Sequence, residues 1–187
     1  SNLLTGTDSL VGVQKISGTA GADTFLLNTT NGAINRIDGI GGLDTLNAAA
    51  LAGLVVIFDL VNGEVIDHGS SSVLMSYQDI EHFIGNDVES IFVGALSGDH
   101  IFEGGSSAGA LQYNIIEYGQ DASIKFAIVD LANGFAEKYD NVSGGISHLQ
   151  GTDTLINIRN VVARSGHELI IGDSNDNGII LANGDFT

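Results

Sequence analysis

The chain of 187 residues has no cysteine, no proline, no tryptophan and one methionine. Without cysteine, disulfides, thiolate metal centres and thiol nucleophiles are excluded. Basic residues are scarce: Lys and Arg number 6 against 23 Asp and Glu, a formal charge of -17. Nucleic acid and anionic membrane surfaces need neutralising cations, so this imbalance argues against both as partners and favours cations. The longest uncharged apolar run, 48–58, is far short of the ~20 residues of a spanning helix. It reads as a buried strand or short helix, with no membrane insertion. No basic, apolar targeting segment opens the chain.

What is present is glycine, 26 of them, and a 43% apolar content, too high for a disordered acidic tail. The length suits one domain, over 1–187, with its own core. Worn internal repeats run roughly over 1–67, 68–150 and 151–187. One phrase recurs from Asp8 to Ile16, from Met75 to Phe83 and from Asp153 to Val161. A second runs from Val56 through Asp59 to Asn62-Gly63, and again from Ile128 through Asp130 to Asn133-Gly134. Each is an apolar run ending in Asn-Gly, which marks a strand entering a tight turn with positive φ. Glycine punctuates the chain too often for helices.

Between these phrases lie nine-residue units with glycine first and an apolar residue eighth. Gly18-Thr-Ala-Gly21-Ala-Asp23-Thr-Phe25 and Gly39-Ile-Gly-Gly42-Leu-Asp44-Thr-Leu46 are the clearest. Gly85 to Phe92, Gly94 to Ile101 and Gly172 to Ile179 follow more loosely. These units resemble the haemolysin-type (RTX) calcium-binding nonapeptide, Gly-Gly-x-Gly-x-Asp-x-apolar-x. The resemblance implies an all-β fold, a right-handed parallel β-solenoid of the β-roll kind with irregular insertions. The alternative is an antiparallel β-sandwich built from the runs around Val55–Leu60 and Ile124–Leu131.

The resemblance also implies Ca²⁺ as ligand, held in an oxygen cage of sixth-position carboxylates and turn carbonyls. Calcium takes six to eight such oxygens. Asp23 and Asp44 stand at that position, and Asp99 in a weaker unit. Asp176 and Asp185, nine apart, are candidates for successive turns, with Asp173 and Asn177 adding oxygens. The competing expectation is that these side chains only close their own turns. His82 and His100 are one coil apart, so a transition metal bridging them is a further, weaker expectation.

Nothing points to catalysis. The six basic residues, Lys138 among them, look scattered, and no hydrolase elbow, phosphate loop or zinc-protease motif occurs. Phe25, Phe58, Phe83, Phe92 and Phe102 read as core rather than as a sugar-stacking platform, and core packing is also expected of Tyr113 and Tyr118. The expected function is a calcium-binding structural module of a secreted bacterial exoprotein, exported by a type I system and folding outside the cell. Its partners would be calcium ions and the rest of a parent polypeptide. The alternative is an adhesin-type module recognising cell-surface carbohydrate or another surface.

Overall fold

The computed structural model describes residues 13–28, 35–105, 113–142, 146–163 and 168–181. Within them the protein is all-β, with seventeen strands in two mixed, unclosed sheets. Apolar and β-branched residues flanked by glycine turns set the element lengths. Short triplets come first: β1 (Lys15–Ser17), β2 (Thr24–Leu26), β3 (Arg36–Asp38) and β4 (Thr45–Asn47). A three-strand meander follows, β5 (Val55–Asp59), β6 (Glu64–Asp67) and β7 (Ser72–Gln78). Then come β8 (His82–Ile84), β9 (Glu89–Val93), β10 (Ile101–Glu103) and β11 (Ile115–Glu117). A second meander comprises β12 (Phe126–Asp130), β13 (Phe135–Val142) and β14 (Ile146–Ile156). The last strands are β15 (Asn160–Ala163), β16 (Glu168–Ile171) and β17 (Gly178–Leu181).

The first sheet runs β1-β3-β7-β6-β5-β9-β11-β15-β17 and the second β16-β12-β13-β14-β10-β8-β4-β2. Outside the meanders, successive strands alternate between sheets. Neighbours within a sheet then meet in parallel, as in β1 with β3, β4 with β8 and β15 with β17. Antiparallel pairing is confined, among the described residues, to the two meanders. The purely antiparallel arrangement is therefore correct only for those two insertions.

Alternation decides which side chains fill the space between sheets. In β5, Val56 and Phe58 are fully buried while Val55 and Ile57 are half-exposed. Phe58 lies 5.3 Å from Phe92 in its own sheet and 5.5 Å from Phe83 across the core. Phe102 continues the stack, 5.9 Å from Phe83. Four of the five phenylalanines expected inside are fully buried, and Phe25 packs against the cluster as a partly buried member. Tyr118 is also core, whereas Tyr113 is 54% exposed.

The recurring phrases have a structural meaning. Ile16 in β1, Phe83 in β8 and Val161 in β15 occupy the same place in the phrase, so β1–β7 and β8–β14 are two copies of a seven-strand unit and β15 opens a third. In the second phrase, Asp59 accepts hydrogen bonds from the Val61 and Asn62 amides and the Asn62 side chain. Asp130 repeats this with Asn133. Gly63 and Gly134 turn at φ 66° and 71°. A Cβ there would meet the Tyr77 and Leu155 carbonyls at 2.7 and 2.9 Å, so glycine is required twice over.

Candidate functional site

Position six of the glycine units has a defined task. In the units led by Gly18, Gly85 and Gly172 its side chain folds back to accept the amide that follows the unit's glycine. Thr19 donates to Asp23 Oδ2 through its amide (2.6 Å) and hydroxyl (3.0 Å). The Asn86 amide donates to Ser90 Oγ at 3.0 Å, and the Asp173 amide to Asn177 Oδ1 at 2.9 Å. The first glycine makes room for this closure. A Cβ on Gly18 would stand 2.7 Å from Asp23 Oδ2, and one on Gly172 2.6 Å from Asn177 Oδ1.

Parallel pairing then stacks these positions. Thr24 pairs with Thr45, Thr45 with His82, His82 with Ile101 and Ile101 with Thr154. The preceding residues therefore form one column: Asp23, Asp44, Glu81, His100 and Asp153. The Asp23 amide donates to Asp44 Oδ1 at 2.8 Å, and the Asp44 amide to Glu81 Oε2 at 2.9 Å. Asp44 is fully buried, and its Oδ2 has no hydrogen-bond partner. Glu81 was not expected here. Its place one residue before a paired triplet was the available signal.

The other candidate ligands lie apart. Asp99 is exposed and accepts the Thr152 amide at 2.7 Å. Its unit is one residue longer than the nonapeptide: Phe102, not Ile101, is the buried residue, and His100 takes the column position. Asp173 accepts the Asn175 amide and the side chains of Asn175 and Asn177. Those bonds, the Asn175 amide first, hold its carboxyl below the usual carboxylate range. Asp176 is exposed beside that turn. Asp185 lies outside the described residues.

Among the described residues, no three acidic or histidine side chains converge as a metal cage. The position-six oxygens of Asp23, Ser90 and Asn177 accept amides of their own turns, whereas Asp44 accepts the Asp23 amide on Oδ1 and Asp99 the Thr152 amide. The expected histidine pair is also corrected. His82 pairs with Ile101, one residue away from His100. Alternation sends the rings to opposite faces, with His82 Nε2 3.3 Å from Glu103 and His100 Nδ1 3.3 Å from Asp153.

The column ends at a buried polar cluster that composition did not reveal. Lys138 and Asp153 are both fully buried, with Lys138 Nζ 2.7 Å from Asp153 Oδ1. Lys138 Nζ also donates to the Gly98 carbonyl at 2.8 Å. The Tyr118 hydroxyl donates to Asp153 Oδ2 at 2.6 Å, and the His100 amide to Oδ1 at 3.0 Å. Burial, then the Asp153 charge, pushes the Tyr118 hydroxyl well above its ordinary pKa, keeping it a donor. Strand alternation was the missed signal. Ala136 faces inward, so Lys138, two residues on, must too.

At the β1–β2 end an open cleft of about 400 Å³ is floored by Phe25, Leu27, Ile37 and Met75, with Asp23 at its rim. No protein-family model matches the chain, and no curated protein matches it.

Proposed function

We propose that this protein is a structural module of a secreted bacterial exoprotein, built as a parallel β-solenoid of the haemolysin-type kind with two meander insertions. One observation carries the reading: glycine-led turns lie on parallel strands, with Asp23 donating its amide to Asp44 in the next coil. Short turns stacked on parallel triplets make a scaffold whose length scales with the number of units.

Calcium is the proposed ligand of the Asp23–Asp44 stack. The unpartnered, buried Asp44 Oδ2 supports it, since an orphaned carboxylate oxygen is costly to leave so. The turns would have to reorganise to add further oxygens, which fits a ligand that acts during folding outside the cell. A ligand that binds only the folded chain stabilises it by about 2.7 kcal/mol at a hundred times its dissociation constant.

The test is a thermal melt in EDTA, then in millimolar calcium, with magnesium as control. The expected result is a Tm that rises with calcium alone and a rise lost in Asp44→Asn. A chain fully folded in EDTA and indifferent to calcium would end the calcium reading. The second reading, an adhesin-type module recognising carbohydrate or a surface, draws on the exposed apolar side chains Leu169, Ile171 and Ile180. Ligand binding by the calcium-free, folded chain would favour it.

A further inference from the structure

From the buried cluster between β13 and β14 we infer that Lys138 and Asp153 join in an intramolecular amide, a covalent cross-link that forms without any added reactant.

The site is built around the lysine. Gly151 pairs opposite Lys138, and a Cβ on Gly151 would stand 3.2 Å from Lys138 Cε. Gly98 turns at φ 87° and presents its carbonyl to Nζ. The lysine is thereby held against one oxygen of a carboxylate whose other oxygen is held by Tyr118. Neither partner reaches water. A buried ion pair retains the desolvation cost of both charges. An amide removes both charges, and fixed proximity replaces the encounter that makes the reaction slow in solution.

The step balances. One proton passes from Lys138 Nζ to Asp153 Oδ1. The freed lone pair attacks Cγ, and the charge that develops on Oδ2 is met by the Tyr118 hydroxyl. A second proton leaves Nζ for Oδ1, with the His100 imidazole, 3.3 Å from Oδ1, placed to relay it. The Cγ–Oδ1 bond breaks and one water leaves. The product needs no new partners. Its N–H faces the Gly98 carbonyl, and its carbonyl oxygen keeps the Tyr118 bond. In a chain without cysteine, this supplies the covalent tie that a disulfide cannot.

The experiment is the intact mass of the purified, denatured protein, followed by tryptic mapping. The expected mass is below the sequence mass by one water, with a branched peptide joining Lys138 and Asp153. Lys138→Arg keeps the cation but removes the nucleophile and should give the full sequence mass. Tyr118→Phe should lower the linked fraction while circular dichroism still reports a folded chain. A folded wild-type chain that keeps its full mass after prolonged incubation overturns the inference and leaves the pair an ion pair only. A loss of water mapped to another pair of residues overturns it equally.

Discussion

The two meanders share a backbone and differ in what they bury. In β5–β7 the inward residues are Val56, Phe58, Val65, Met75 and Tyr77. At the matching places β12–β14 carry Ala127, Val129, Ala136, Asp153 and Leu155, and Lys138 stands where the first meander has Asp67. Both copies keep the Asp–Asn turn, the positive-φ glycine and a positive-φ residue after the third strand, Asp79 and Asn157. The frame is therefore set by hydrogen bonds within turns, and it tolerates two cores. One is filled by aromatic rings, the other by small side chains around the buried Lys138 stem and Asp153. Turn chemistry is local and indifferent to what lies beneath it, whereas packing must be solved afresh in each copy.

Removing one partner of the second core should have the largest effect. Asp153→Ala strands a buried ammonium, at a cost of about 3–5 kcal/mol. Urea denaturation should show it. The double variant Lys138→Met/Asp153→Met, which replaces the pair by apolar side chains and gives position 153 the methionine of its counterpart Met75, should recover most of that loss. Failure to recover would mean that the pair, rather than its volume, specifies this meander.

Phe58→Ala tests the first core. Truncating a fully buried phenylalanine costs about 3–5 kcal/mol. Its counterpart, Val129→Ala, removes fewer atoms and should cost less by the same assay. Equal costs would show that the two cores are less different than their side chains.

Gly63→Ala and Gly134→Ala test the shared frame. Each forces a Cβ into the left-handed region and against a carbonyl, for about 1–2 kcal/mol from the backbone term alone. Matched losses of Tm are expected. A large loss at one site only would break the equivalence of the turns.

The smallest effect is acid sensitivity at Asp130. The Asn133 side chain and amide hold its carboxyl below the ordinary value of 3.8. A lowered folded pKa contributes stability above 3.8 that is lost as pH falls through the folded value. Asp130→Asn should therefore lower Tm at neutral pH, and the gap to wild type should close below 3.8. A gap that persists in acid would assign the effect to turn geometry rather than to charge.

The turns were legible because their signals are short-range. Asn62-Gly63 and Asn133-Gly134 announce themselves in two letters, and the phrases at Met75 and Asp153 locate the ends of both meanders. The column of Asp23, Asp44 and Glu81 was half legible. The two aspartates sit in recognisable units, while Glu81 joins them only through the register of β4 with β8. The Lys138–Asp153–Tyr118–His100 cluster was not read, because its members come from four segments joined by pairings of long sequence separation. The histidine error has a related cause: one extra residue before β10 shifts His100 out of step with His82, and a count along the chain cannot see an insertion.

The unit contains an odd number of strands, so successive copies begin on opposite sheets. The first meander thickens one sheet and the second thickens the other, leaving them nine and eight strands long. An even number would load every insertion onto one side. That side would outgrow its partner, and the stack would bow like a heated bimetallic strip. Oddness shares the added strands between the two sheets, and it places successive long hairpins alternately on one and then the other, as leaves are set on a stem.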